Sequence, residues 1–341
     1  MKSSQKATCW AFVLAGGEGT RLRCLTTTSA GISIPKQFCS LRGGSSLLHA
    51  ALDRAGCVAS PQHTCAVVAA QHLEWWSRCL TRTQVKHAVV QSANCGTASG
   101  VLLPLLKTLD KDPDCVVVVL PSDHHVENEA ILARALREAV AALARHRDSV
   151  MMLGIEPDEP DPELGYIVPD AAESDGTAAV SMFVEKPDAH VALDLIHRGA
   201  LWNAFIFAAR GSVLLGLFER NTPELVARMR SALQFEKLGP QGSRAIDELY
   251  KSLSPLDFSR HIFAGQEAHL RVVKVPHCGW TDLGTPRRVA NTLTRMQLNV
   301  AAERAAGSDA PMLDLAAQYV LNPDLRRSPR AMSAGNPGRV T

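Results

Sequence analysis

Val116-Val117-Val118-Val119-Leu120 is an unbroken apolar run. Consecutive β-branched side chains favour an extended strand, and apolar residues on both faces demand cover from both sides. The chain is thereby limited to layered folds with a buried strand at the centre. Similar short runs lie at Trp10–Ala15, Cys65–Ala70, Val85–Val90 and Val150–Ile155. Between them the apolar spacing predicts helices over Ser45–Val58, His72–Leu80, Thr97–Leu109 and Asn128–His146. This alternation predicts an α/β fold with a doubly wound, mostly parallel sheet.

Beyond Ile155 the texture changes. Glu156-Pro157-Asp158-Glu159-Pro160-Asp161-Pro162 reads as a loop, and strands follow near Leu164–Pro169, Val180–Glu185 and Trp202–Ala208. These predict a second lobe added to the same sheet. Periodicity fades from about residue 301, and the Arg-, Ser-, Gly- and Pro-rich stretch from 326 to 341 reads as a mobile tail. No internal repeat supports a solenoid.

Charge and cysteines narrow the function. The formal net charge is +2, so no global field is built for nucleic acid or an anionic membrane, and a homo-oligomer is left open. Nine scattered cysteines, an odd number with no Cys-x-x-Cys pair, argue against a disulfide framework or zinc site and for a cytoplasmic location. Lys2 and Lys6 before an apolar run hint at a leader, but that run ends in glycines and reads better as a first strand. No apolar segment is long enough to span a bilayer.

The glycines after that strand carry the strongest chemical signal. In Leu14-Ala15-Gly16-Gly17-Glu18-Gly19-Thr20-Arg21-Leu22, Gly16, Gly17 and Gly19 allow a tight turn and close approach of N–H groups to an anion. Thr20 adds a hydroxyl and Arg21 a fork for phosphate oxygens. The spacing matches neither a P-loop nor the Gly-x-Gly-x-x-Gly fingerprint, which disfavours a nicotinamide-dependent dehydrogenase. Lys36 could offset charge on a triphosphate, although a lone lysine is more often solvated. Asp123 follows the most hydrophobic strand, at the sheet edge where ligands bind, and could hold Mg²⁺ or cap the next helix.

Gly16-Gly17-x-Gly19-Thr20-Arg21-Leu22 followed by Pro35-Lys36-Gln37-Phe38 resembles the signature of the sugar-1-phosphate nucleotidylyltransferases. The Pro-Lys-Gln-Phe form is most similar to the mannose-1-phosphate guanylyltransferase branch. Further landmarks follow in family order: Pro121-Ser122-Asp123-His124, Gly165-Tyr166-Ile167, Glu185-Lys186-Pro187, Trp202-Asn203 and Gly279-Trp280-Thr281-Asp282-Leu283-Gly284. The resemblance implies a Rossmann-like nucleotidyltransferase domain over 8–300, with a nucleotide half at about 8–155, a sugar-binding half at about 156–300 and a tail at 301–341. It implies transfer of a nucleoside monophosphate from a nucleoside triphosphate to a sugar 1-phosphate, with release of pyrophosphate. Arg21, Lys36 and Asp123 are the implied catalytic residues. Leu14, Ala15, Gly16, Gly17, Gly19, Thr20, Gln91, Gly96 and Thr97 join Arg21 and Lys36 in binding the nucleotide. Gly165, Glu185, Lys186 and Asn203 bind the sugar phosphate, with Asn203 offering a bidentate amide. Asp123 and Asp282 hold Mg²⁺. His124 and His125 are not read as a catalytic pair, because an anionic phosphate nucleophile needs alignment and charge stabilisation more than a base.

Five positions depart from the pattern. Cys24 replaces the usual proline after Arg-Leu-x, and Cys95 stands at or beside a common arginine. Gln91 stands where the guanylyl branch commonly has an acid, and Ala204-Phe205 replaces Ser-Gly. GTP with mannose 1-phosphate is the leading pair. Gln91 keeps UTP or dTTP with glucose 1-phosphate open, and Cys24 and Cys95 keep open a catalytically weak nucleotide-sugar-binding regulatory homologue. The chain after residue 300 is too short for a fused isomerase domain.

Overall fold

In the computed structural model, residues 7–41, 43–85, 87–237 and 243–305 are described. Strands β1 (Cys9–Ala15), β2 (Thr64–Ala69), β3 (His87–Gln91) and β4 (Val116–Pro121) pair in parallel in the order β3-β2-β1-β4. Their C-terminal ends therefore meet at one edge, where the glycine loop, Gln91 and Asp123 emerge. The predicted strands fall within three residues of the observed ones. Ser46 and Asn128 make two helices start later than predicted: each side chain accepts from an N–H three residues on and so stands outside the helix it caps, Leu47–Ala55 or Glu129–Ala142.

The second half extends the same sheet but changes its character. It adds β5 (Val150–Ile155), β6 (Gly165–Pro169), β7 (Thr177–Glu185), β8 (Leu201–Arg210) and β9 (Leu270–Val275). β8 inserts antiparallel between β4 and β5, and β6 pairs with both β7 and β8, so β8-β5-β9-β7-β6 closes on itself. The α/β fold forms as the sequence implies, but parallel pairing is confined to β1–β4 and β5–β9. The sheet is mixed because β8 returns to the edge where β4 ends. Strand β9 escaped the sequence reading, since Arg271 and Lys274 break its apolar run.

Helices cover both faces, as the central strand requires. On β4, Val116, Val118 and Leu120 face one apolar cluster with Leu48, Leu52, Leu132 and Leu136. Val117 and Val119 face the other, with Leu102, Leu105, Leu217 and Phe218. The last helix, Pro286–Ala305, runs into the stretch read as aperiodic. The proposed tail from 306 to 341 lies outside the described residues.

The two sequence halves interlock. Leu256 donates to the Cys95 carbonyl at 3.2 Å and accepts from the Ala98 N–H at 3.1 Å, across the start of helix Gly96–Leu109. Gly96 has φ 82, and a Cβ there would lie 2.7 Å from the Leu256 nitrogen and closer still to its carbonyl oxygen. Left-handed backbone plus a backbone clash costs about 2 kcal/mol or more. Gly96→Ala should lower the melting temperature by several degrees in a thermal scan. An unchanged transition would show that Leu256 does not lock this helix.

Candidate functional site

Gln37 braces the glycine loop. Its side chain, 2 % exposed, donates to the carbonyls of Ala15 (3.0 Å) and Gly17 (2.9 Å). Tying those two carbonyls back removes two acceptors from beside the loop's N–H groups. Gly19 has φ 62, and a Cβ there would lie 3.0 Å from the Lys36 nitrogen, so a glycine brings this loop against Lys36. Ser122 fixes the neighbouring loop by donating from Oγ to the Leu14 carbonyl at 2.6 Å.

Lys36 joins three segments distant in sequence. Its ammonium lies 3.0 Å from Asp123 Oδ2 and donates to the Asp282 carbonyl at 2.6 Å. The two acidic loops are stitched by a two-bond bridge: His125 N–H to the Thr281 carbonyl and Thr281 N–H to the His125 carbonyl, both 2.9 Å. Lys36 is only 8 % exposed, which overturns the solvated-lysine alternative. Asp123 does not cap the following helix; Asn128 does.

The electrostatics follow from this crowding. Burial opposes charge on Asp123, but the Lys36 ammonium outweighs it and holds the carboxyl below its ordinary range. Burial pushes Asp282 upward, with Lys36 pulling it back and Asp123 adding to the rise. Burial drives His124 down to about 3, so its imidazole is neutral beside Trp280, edge-on at 5.2 Å. A ring with so low a pKa is a poor proton acceptor, which fits a reading without His124 as a base.

Two arginines divide differently from expectation. Arg21 is exposed and pairs with Glu163, close enough to Asp282 to be felt by it. Arg288, which sequence reasoning missed, is largely buried and bridges Asp161 and Asp282. Asp282 Oδ1 also accepts from the Gly284 N–H at 2.9 Å. Arg288 lacked any signal beyond a helix start after Pro286, and Gln37 stood unassigned inside a motif already noted.

Gly165 and Glu185 are cross-strand partners on β6 and β7. A Cβ at Gly165 would meet Glu185 Oε2 at 2.6 Å and Asn203 Nδ2 at 3.5 Å, so these three converge. Lys186 reaches Glu185 Oε1 at 3.4 Å. Asn203 is not a free bidentate amide: its Oδ1 accepts from the Phe205 N–H at 3.0 Å. Phe205, at the position of the usual glycine, has φ 54 and so keeps a glycine-like backbone while presenting a ring.

Leu14, Gly16, Gly17, Gln91, Gly96, Thr97 and Asp123 line one cleft of about 490 Å³, with Leu256 and Asp257 as its far wall. Thr97 has a structural task there, its Oγ1 accepting from the Phe258 N–H at 2.8 Å. Ala15, which is buried, does not line this cleft, and neither do Gly19, Thr20, Arg21 and Lys36. All nine cysteines are free, and among the described residues no helix is long and apolar enough to cross a membrane.

A glycine loop, a buried lysine and two loop carboxylates at the edge of a doubly wound sheet define a phosphate-handling α/β protein. The chain belongs to the nucleotidyl transferase family, whose model matches residues 10–297. It is 31% identical over 277 residues to the xanthan biosynthesis protein XanB of Xanthomonas campestris pv. campestris, covering 80% of this chain and 57% of XanB. It is 25% identical over 283 residues to a Sinorhizobium fredii mannose-1-phosphate guanylyltransferase, covering 80% and 52%. The chain thus spans a little over half the length of these curated relatives. Among solved structures, mannose-1-phosphate geranyltransferase from Thermus thermophilus superposes with a TM-score of 0.71 at 26% identity, over 84% of this chain and 79% of that one.

His124 yields a pH prediction. Its folded pKa of about 3 lies below the ordinary 6.5, so the unfolded chain binds the extra proton between those values. Stability is full above about pH 6.5 and falls with pH towards 3, by up to about 1.4 kcal/mol per unit. Urea unfolding of His124→Asn should lose up to that much of the wild-type slope between pH 6 and pH 4. Equal slopes would mean that the folded imidazole titrates normally.

Proposed function

We propose that this chain transfers a nucleoside monophosphate from a nucleoside triphosphate to a sugar 1-phosphate, with GTP and mannose 1-phosphate giving GDP-mannose as the leading pair. The observation that carries the reading is the Lys36–Asp123 ion pair, set against the Asp282 loop and beside the braced glycine loop. The name of the Sinorhizobium relative supports the choice of substrates.

In this reading an oxygen of the sugar phosphate attacks the α-phosphorus in line. The bond from that phosphorus to the bridging β-oxygen breaks, and pyrophosphate leaves. The nucleophile is already anionic, so no base is required. The glycine-loop N–H groups hold the triphosphate, and Lys36 offsets charge that grows on the leaving pyrophosphate. Gly165, Glu185 and Asn203 receive sugar hydroxyls, and Lys186 the sugar phosphate. The Gln91 cleft receives the base.

The donor chemistry favours Mg²⁺. Asp123 would supply a hard carboxylate oxygen, and Asp282, whose Oδ1 is held by Arg288 and the Gly284 N–H, would offer Oδ2, from loops stitched together by His125 and Thr281. When bound there, the ion would neutralise phosphate charge and align the triphosphate. The free cysteines support a cytoplasmic location.

One observation favours a second pair. Gln91 carries an amide, which suits the alternating donor and acceptor of uracil or thymine, so UTP or dTTP with glucose 1-phosphate is the runner-up. A decayed regulatory homologue is disfavoured, because Lys36, Asp123 and Asp282 are all present and mutually engaged.

Five triphosphates assayed against several sugar 1-phosphates for pyrophosphate release should show GTP with mannose 1-phosphate as fastest. No release from any pair would contradict the reaction. Asp123→Asn should keep the fold at a lowered melting temperature, since Lys36 loses its carboxylate partner, and should lose about 100-fold or more in turnover. Lys186→Ala should raise the sugar-phosphate KM and spare the triphosphate KM. The reverse pattern would exchange the two binding sites.

A further inference from the structure

Asp257 belongs to the far wall of the cleft and is half-buried there. Its neighbours fix it on both sides. Leu256 is bonded to the backbone of Cys95 and Ala98, and the Phe258 N–H donates to Thr97 Oγ1 at 2.8 Å. The Asp257 carbonyl accepts from the His261 N–H at 3.0 Å, and its Oδ1 accepts from the Arg260 N–H at 2.9 Å. Among the described residues Oδ2 accepts no hydrogen bond and the carboxylate forms no ion pair. A held carboxylate with one spare oxygen needs a reason beside a glycine loop suited to phosphate, because it repels the anion that loop would hold.

Its place along the cleft supplies the reason. Gln91 ends β3, which stands first in the sheet order, with β7 and β6 at the other end. Asp257 lies towards that other end. Burial raises the Glu185 carboxyl, Lys186 pulls it back, and Asp257 adds to the rise, so the two acids are within electrostatic reach. Phe205 lines the cleft as well, and its N–H is held by Asn203. Asp257 therefore stands between the residue assigned to the base and those assigned to the sugar. The parts of a nucleotide-sugar that join base to sugar are a ribose and two phosphates. Of these, only the ribose has hydrogens to donate at neutral pH.

We infer that Asp257 is a further substrate-binding residue, whose free oxygen accepts from the ribose hydroxyls of the nucleotide. The inference rests on reading this cleft as the nucleotide site. A carboxylate suits a diol because it is acceptor-only and can take both hydroxyls. Acids take ribose hydroxyls in the same way in dinucleotide-binding folds. A nucleotide without those hydroxyls would leave the carboxylate short of a donor, which lowers affinity by about tenfold or more. This selection is independent of the base, since every ribonucleotide carries the diol. The hydroxyls of the sugar 1-phosphate are the other source of the same chemistry, and the test separates the two.

The test is equilibrium binding to the full chain, read by calorimetry in Mg²⁺ buffer and so independent of turnover. GTP and 2′,3′-dideoxy-GTP are titrated without sugar phosphate, and mannose 1-phosphate is titrated alone. Wild type should bind GTP about tenfold or more tightly than the dideoxy form. Asp257→Ala should bring that ratio close to one and leave mannose 1-phosphate binding unchanged. A purely structural role would shift both nucleotides together and keep the ratio. Should Asp257→Ala show no folding transition, Asp257→Asn decides: it keeps an acceptor for the Arg260 N–H but loses the charge, so the ratio must fall by about threefold or more. Equal binding of both nucleotides by wild type, or an unmoved ratio in the deciding variant, overturns the inference. Weaker mannose 1-phosphate binding with the nucleotide ratio intact gives the carboxylate to the sugar and also overturns it. Absence of pyrophosphate release, with the ratios as predicted, overturns the reaction and leaves the role of Asp257 standing. Failure of both nucleotides to bind overturns both.

Discussion

The Lys36 ammonium is the interaction on which the site depends. Among the described residues it is the one cation drawn simultaneously to Asp123 and to the backbone of Asp282, and it is buried enough that its charge is weakly screened. Without it the rise that Asp123 imposes on Asp282 would be opposed only by Arg21, the Gly284 N–H and the Arg288 pair. A buried ammonium unpaired would be equally unfavourable. The lysine and the acids therefore require each other, which is why segments near residues 36, 123 and 282 must meet.

The fold brings about this meeting by simple means. Parallel strands β1 and β4 deliver the glycine loop and Asp123 to one edge, and the His125–Thr281 bridge adds the Asp282 loop. Lys186, Phe205 and Leu283 are the non-glycine residues with positive φ among those described, and each lies within two residues of a group proposed to meet substrate or metal. Such conformations cost of order 1 kcal/mol each and persist where the surroundings over-determine them.

Much of this was legible in sequence because local rules govern it. The unbroken Val116–Leu120 run fixes a two-sided strand, glycines at 16, 17 and 19 fix a tight turn, and motif order places Lys36, Asp123 and Asp282 together. What escaped depends on long-range geometry. No spacing rule pairs Arg288 with Asp161 and Asp282, or lays Leu256 across Gly96. The antiparallel insertion of β8 is likewise invisible, since strand direction is not written in hydrophobic pattern. Asn203 was read by its chemistry alone, and only the structure reveals that one arm serves the Phe205 backbone. Gln91 stands out in sequence as a candidate base reader, but its hydrogen bond to Tyr250, 159 residues away, is not legible there.

The family assignment fixes the kind of phosphate chemistry, whereas the bond that breaks is a claim about this chain's own residues. It is tested most directly by following label from the triphosphate. With GTP labelled separately at the α- and γ-phosphorus, in the presence of mannose 1-phosphate and Mg²⁺, the account predicts α-label in the nucleotide-sugar and γ-label in pyrophosphate. Recovery of the γ-label on the sugar, or as free orthophosphate, would place cleavage at the terminal phosphate and contradict it.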